Sequence, residues 1–457
     1  MLNIRKRIYK KINKFYKSYN LYLKLNNLKK YEKFTFKFFS SNNYKYILIK
    51  DKLRSIKIRI GKIFFYPFKL IFKPKFVSSV KYIEFTTPIL NKKYLVYFSY
   101  HPNFGHQLSE LMQFYVIGEK YSNLVLIIDK KRINNHSIFN LTYDNKKLLI
   151  ENFYLKTLFR FLYHFHYSFY SKQAKKENIY TYYDRKKLNT CKKFHLEPFK
   201  TNNQKINDII SYIGNKKIIT FNVRNNNYYK NILNKSTSPK NGRDDGVRNF
   251  ESSVYENIIK NNQDFFFVKT GFKDNDFYLK QLNFSNFYDL SNSNLRTNEF
   301  ELNLIKNSVL SIHGDSGSLY LPRLFHVPLL NINCPHPALN YPICNKDFAL
   351  LQKIKIKNSF LGIEHFSTLE SAKNIKNPRY YSFDSLLPEE LEEVFKDIIL
   401  RIQSSNFTKT SREKYFHNEL HKNLNNLWDN AKEIKYFRKW IHKNYLGGGI
   451  LIDKFLI

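Results

Sequence analysis

The chain has 457 residues, 43% of them hydrophobic, and carries a formal net charge of +40. That length exceeds one ordinary domain and suits two plus extensions, and the apolar content excludes disorder throughout. Three cysteines, Cys191, Cys334 and Cys344, form no CxxC pair. This suggests neither a disulfide framework nor a thiolate zinc site, and fits a reducing cytoplasm.

Two causes of the positive charge compete. One is attraction to polyanions: nucleic acid, anionic lipid or nucleotide phosphates. The other is codon bias, because Lys, Asn, Ile, Tyr and Phe are abundant together. The basic N-terminus is followed by no uninterrupted apolar run of the signal-peptide kind. No window reaches the roughly 18 apolar residues of a membrane span. Within residues 1–75, Ile12, Phe15, Tyr16 and Tyr19 share one helical face among lysines. Such a segment could lie on an anionic membrane surface, or pack on the domain as a basic helix.

Lys93 to Tyr100 is expected to be a strand, followed by the turn His101-Pro102-Asn103-Phe104-Gly105-His106-Gln107. Leu108, Leu111, Met112, Tyr115 and Val116 then mark an amphipathic helix, and Leu124 to Asp129 a second strand. This is a βαβ opening whose loop lies where open α/β sheets bind ligands. Residues 150–200 show weak periodicity and are read only as helices. A second domain begins with the strand Lys217 to Val223, ending at Arg224. A long polar loop, Asn225 to Asn249, follows; loops of this length are usually functional or mobile. Next come a helix with Val254, Tyr255, Ile258 and Ile259, the strand Asp264 to Lys269 closed by Gly271, and the strand Phe287 to Leu290. Asn298 is expected to cap the next helix, with Glu301 as its capping-box partner. After Pro342 the pattern fades, apart from a helix through Leu391, Val394, Phe395, Ile398 and Ile402 behind Pro388. The remainder is expected to be helical up to Gly447-Gly448-Gly449.

The segment Ser308 to Ser318 says most about chemistry. An apolar run ends in Gly314-Asp315-Ser316-Gly317. A helix with Leu321, Leu324 and Phe325 follows, then a second apolar run from Pro328 to Ile332. Strand, glycine turn, helix and strand present backbone N–H groups to a phosphate, so a phosphorylated ligand is expected. Gly-Asp-Ser-Gly also surrounds the nucleophile of trypsin-like proteases. Those are all-β, and here Ser318-Leu319 follows. The G-x-S-x-G elbow of α/β-hydrolases is not matched either, since a glycine directly follows Ser316. Ser316 is therefore read as a phosphate or sugar contact, with a purely structural glycine turn as the plainer option.

Arg224, at a strand end, could fork onto a diphosphate, because guanidinium matches phosphate geometry bidentately. The plainer option is a surface arginine in a basic protein. His106 could accept a proton from an attacking hydroxyl, and Glu110 is a second candidate base. Otherwise Gly105 permits a tight turn that His106 caps. His313, His326 and His336 have no common metal-site spacing, so no metal is expected. Aromatics interleaved with lysines could bind nucleic acid, but they run through the whole chain, and no local signature stands out.

The block from Phe221 to Pro337 resembles an uncharacterised bacterial family of glycosyltransferases associated with surface-polysaccharide gene sets. The matching residues are Asn222-Val223-Arg224, Gly246-Val247-Arg248-Asn249, Val268-Lys269-Thr270-Gly271, Arg296-Thr297-Asn298-Glu299-Phe300, Ser316-Gly317, and Val327-Pro328 leading to Asn333-Cys334-Pro335. Asn222 stands where that family has histidine, and Val247 where it has tyrosine. Gly105-His106-Gln107 is similar, more loosely, to the Gly-Asn-Gln turn of fucosyltransferase-like enzymes. The resemblance implies an α/β protein with two Rossmann-like domains facing each other across a cleft (GT-B type), with basic N-terminal and helical C-terminal extensions.

The expected division is 1–75 extension, 76–205 acceptor domain, 206–375 nucleotide-sugar domain and 376–457 helical segment. The expected activity is metal-independent transfer of a hexosyl or deoxyhexosyl unit from a nucleotide-sugar to a glycan or lipid-linked acceptor. The nucleotide-sugar is a co-substrate, and no cofactor is expected. Arg224, Arg248, Lys269, Gly314, Asp315, Ser316 and Gly317 would hold the donor, and Asn103 and Gly105 the acceptor. His106, Glu110 and Arg224 would carry the catalysis. The expected setting is the cytoplasm, with peripheral contact to an anionic membrane. The alternative is a non-enzymatic nucleic-acid-binding protein.

Overall fold

The computed structural model describes residues 75–77, 79–86, 93–99, 123–128, 147–150, 199–224, 250–271, 278–314, 316–334, 344–356, 359–360, 382–430 and 449–452, with single positions between 108 and 121 and at 273, 342 and 454. Residues 1–74, residues 151–198 of the stretch expected to be helical and the polar loop 225–249 lie outside the described residues. The chain divides into two compact units, 1–98 with 150–178, and 99–149 with 179–457.

In the first unit, β1 (Lys75–Val77) pairs antiparallel with β2 (Ser79–Thr86). β2 pairs antiparallel in turn with β3 (Lys93–Ser99), with Tyr82 opposite Tyr97 and Thr86 opposite Lys93. The βαβ opening expected from β3 onward did not include this meander. An apolar strand looks the same in sequence whichever way its neighbour runs.

In the second unit, Leu108, Leu111, Met112 and Phe114 are helical and buried. Leu108, Leu111 and Met112 belong to the stripe expected from the sequence. β4 (Asn123–Ile128) and β5 (Lys147–Ile150) follow, with Leu124, Val125 and Leu126 buried. The dominant element is a seven-stranded sheet in the order β15-β11-β10-β9-β6-β7-β8. Its strands are β6 (Lys217–Asn222), β7 (Phe265–Lys269), β8 (Phe287–Asp289), β9 (Leu310–Gly314), β10 (Leu329–Cys334), β11 (Asp347–Leu351) and β15 (Ile450–Ile452). Every neighbouring pair is parallel. The chain steps outward from β6 to β7 and β8, returns to lay β9 against the other side of β6, and continues outward to β10 and β11. The order therefore reverses between β6 and β9. This is the doubly wound arrangement of dinucleotide-binding domains, extended by one strand.

The strand sequences explain why both faces are covered. β7 reads Phe-Phe-Phe-Val-Lys without polar alternation, and all five residues are buried. Phe265 and Phe267 enter one core with Val254, Ile258, Leu391, Phe395 and Ile398. Phe266 and Val268 enter the opposite core with Ile206, Ile213, Phe300 and Leu304. Successive side chains point to opposite faces, so a continuous apolar run demands helices on both. The first face is covered by α2 (Glu256–Asn261) and α6 (Pro388–Gln403), the second by α1 (Gln204–Ile213) and α4 (Asn298–Lys306). α3 (Tyr278–Gln281) and α5 (Tyr320–Leu324) are short connectors.

Three differences from expectation have physical causes. Thr297, not Asn298, caps α4: its Oγ1 accepts from the Phe300 N–H at 3.1 Å. Glu301 is one residue too late to close a capping box and is used elsewhere. The segment read as a separate helical extension supplies α6 to the main core and β15 to the main sheet. It also carries α7 (Ser411–Asn430). A small antiparallel sheet of β12 (Lys353–Ile356), β13 (Ser359–Phe360) and β14 (Ser382–Asp384) follows β11, in strands too short to leave a periodic signal.

Candidate functional site at the carboxyl edge of the parallel sheet

The strand order reverses between β6 and β9, and the carboxyl ends of strands at such a reversal are the usual ligand position in open α/β sheets. The register sets Asn222 beside His313. Arg224 follows two residues beyond β6, and the Gly314 turn closes β9. The two expected ligand groups are therefore neighbours across the switch point. A Cβ added to Gly314 would sit 3.1 Å from the Arg224 Cβ and 2.4 Å from Cε1 of Phe250. Glycine here lets Arg224 and the Phe250 ring close on the strand end, a packing role that the phosphate argument did not anticipate.

The β7 end is built equally tightly. Gly271 has φ +97°, and a Cβ there would lie 1.9 Å from Nδ2 of Asn222. That amide donates to the Thr270 carbonyl at 3.2 Å, tying the β6 end to the β7 end. The Gly271 N–H donates to Oε1 of Glu301 at 2.8 Å, while Oε2 accepts from Arg296 Nε at 2.8 Å. Arg296 and Glu301 thus brace the turn after β7.

Beneath the Gly314 turn runs a buried polar chain. Ser308 Oγ donates to the Ile305 carbonyl at 2.7 Å and lies 3.2 Å from Thr220 Oγ1. Thr220 Oγ1 lies 2.8 Å from Ser311 Oγ, which lies 2.8 Å from His313 Nε2. His313 Nδ1 is 2.9 Å from Ser318 Oγ, and that is 2.7 Å from Ser316 Oγ. Burial, and secondarily the Arg323 guanidinium, lower the His313 pKa to about 3, so the ring is neutral. The overlooked signal of this chain in the sequence was parity: Ser311 and His313 sit two apart in an otherwise apolar strand and so share a face.

Of the donor residues expected from sequence, Arg224, Gly314, Ser316 and Gly317 gather at this edge. Arg224, Ser316 and Gly317 are half-buried, and Gly314 is fully buried. Lys269 closes β7, is 2% exposed, and holds its Nζ 3.8 Å from Asp289 Oδ2. Its charge therefore faces a carboxylate of β8. Asn103, Gly105, His106, Glu110, Arg248 and Asp315 lie outside the described residues. Among the described residues, no group of three or more His, Cys, Asp or Glu side chains could hold a metal ion. No described helix is long and apolar enough to cross a membrane.

Comparison with known proteins gives little beyond the backbone. No family model and no curated protein matches the chain. Among solved structures, the E. coli ADP-heptose LPS heptosyltransferase II is 11% identical with a TM-score of 0.40, over 67% of this chain and 98% of that one. The glycosyl transferase family 9 protein of Veillonella parvula is 11% identical with a TM-score of 0.34, over 67% and 97% respectively. Likenesses this loose identify neither activity nor ligand.

Proposed function

We propose that this protein is a glycosyltransferase that binds a nucleotide-sugar at the carboxyl edge of its seven-stranded sheet. One observation carries the proposal: Arg224 and the Gly314–Ser318 turn meet where the strand order reverses. The Arg224 guanidinium would match a diphosphate bidentately, and backbone N–H groups at the half-buried Ser316 and Gly317 would add donors. In transfer, an acceptor hydroxyl attacks the anomeric carbon, and the nucleoside diphosphate departs with the bonding electrons. Negative charge grows on the departing diphosphate, and Arg224 would offset it. Arg248 would add a second cation and Asp315 a contact from the same turn. His106 or Glu110 would take the acceptor proton, and Asn103 and Gly105 would seat the acceptor. The donor is a nucleotide-linked hexose or deoxyhexose, and the acceptor a growing or lipid-linked glycan at the membrane surface.

A thermal-shift panel of nucleoside diphosphates and nucleotide-sugars tests the ligand class, because a ligand that binds only the native state raises the melting temperature. At least one nucleotide-sugar should stabilise the protein. Arg224→Ala should weaken that binding by about 10- to 100-fold, the range for hydrogen bonds to charged groups. A panel without any shift, or transfer unchanged in Arg224→Ala, would refute the proposal.

A further inference from the structure

We infer that the buried hydroxyl–imidazole chain fixes Ser316 as a hydrogen-bond acceptor toward the ligand, so that Ser316 reads a hydroxyl of the nucleotide-sugar and not a phosphate oxygen. This inference rests on the ligand class proposed above.

The direction follows from counting protons. The Ile305 carbonyl only accepts, so Ser308 spends its single proton there. Ser308 Oγ must then accept from Thr220, which spends its own proton in doing so. Thr220 must therefore accept from Ser311, and Ser311 from His313 Nε2. A neutral ring that carries its hydrogen on Nε2 has a bare Nδ1, which accepts from Ser318. Ser318, its proton now committed, accepts from Ser316. The reverse order would leave the Thr220–Ser308 contact with no proton between its oxygens. It would also turn two buried lone pairs toward each other, a cost the forward order avoids.

The chain delivers an outer hydroxyl whose hydrogen points inward. A deprotonated phosphate oxygen offers only lone pairs, and Ser316 has no hydrogen left for it. A ligand hydroxyl offers a hydrogen, and the Ser316 lone pairs can accept it. The diphosphate is therefore left to Arg224 and the backbone, and Ser316 discriminates among ligands by their hydroxyls. Ser316 is a specificity residue in this account. Thr220, Ser308, Ser311 and His313 are positioning residues acting through it.

Nitrogen NMR of the histidine side chains tests the direction without any ligand. His313, assigned by its change in Ser318→Ala, should be the Nε2–H tautomer at pH 7. The Nδ1–H tautomer would overturn the inference. Ser308→Ala removes the anchor and should give a mixture of both tautomers; an unmixed Nε2–H form in that variant would also count against it. Binding supplies the second arm. Ser316→Ala should weaken a nucleotide-sugar by about tenfold while changing inorganic pyrophosphate by less than about twofold. Loss of a ribose contact would weaken the free nucleoside diphosphate as well, whereas loss of a glycosyl contact would spare it; both outcomes support the inference. Equal loss for pyrophosphate would overturn it. If no nucleotide-sugar binds, the transferase proposal falls and the tautomer still decides the direction of the chain. If nucleotide-sugars bind and Nδ1–H is found, only the inference falls.

Discussion

At the scale of single residues, His313 links the hydroxyl chain at the sheet's carboxyl edge to the stability of the fold. Its native pKa of about 3 lies below the ordinary value of 6.5, chiefly because the ring is buried and secondarily because Arg323 is near. Between those two values the unfolded chain binds a proton that the native ring refuses. Stability from this residue is complete above pH 6.5 and declines as the pH falls toward 3. The slope is about 1.4 kcal/mol per pH unit for one proton. His417, half-buried and lowered to about 4 chiefly by burial, adds a smaller slope over a narrower window, because solvent screens its exposed part. Urea unfolding at pH 4, 5, 6 and 7 should therefore show His313→Gln flattening the dependence by about one proton; an unchanged slope would contradict the neutral ring. The sequence pointed to Arg224 and Ser316 because each stands at a strand end beside a distinctive motif. It did not point to Thr220, Ser308 or Ser311, whose importance lies in contacts between segments distant in the chain.

At the scale of elements, the turns at the sheet's carboxyl edge were legible and their partners were not. Glycines after apolar runs marked the ends of β7 and β9. Nothing local to Gly271 revealed that the Asn222 amide would occupy the space of its missing side chain. Gly271→Ala combines a positive φ with a clash at 1.9 Å and should cost about 2–5 kcal/mol in denaturant unfolding. Adding Asn222→Ala should recover the clash and leave a strain of about 1–3 kcal/mol. Full recovery would mean that the backbone conformation is not strained. At the start of β11, Arg323 Nε meets Asp347 Oδ2 at 2.7 Å with both side chains buried, and the Cys344 N–H donates to the same oxygen at 3.0 Å. Neutralising one partner strands the other charge, so Asp347→Asn should cost about 3–5 kcal/mol. Arg323→Met with Asp347→Leu should be milder than Asp347→Asn alone. Long helices such as α6 were readable from their 3.6-residue period, since Leu391, Val394, Phe395 and Ile398 form one stripe. Strands as short as β12 to β14 carry too few residues to display a period at all.

At the scale of the molecule, the α/β class was visible because strands and helices alternate through residues 217–332. The meander of β1 to β3 was not, because sequence does not record which strands pair. The formal charge of +40 bears on partners more than on fold. A nucleotide-sugar presents only a diphosphate, so raising salt from 50 to 300 mM should weaken its binding by less than about tenfold. A nucleic acid held by many phosphates would lose several orders of magnitude over a similar span. Isothermal titration of both ligands across that range separates a transferase from a polyanion binder. Ile450–Ile452 seals the outer side of β11, and Gly449 beside it leaves no room for a Cβ, with Asp347 O at 2.7 Å and Pro342 Cβ at 2.4 Å. A ribosome-bound chain that has not yet yielded Ile452 must therefore expose a sticky row of backbone amides and carbonyls along β11. Nascent chains halted just short of that point should be the ones that clump or recruit chaperones.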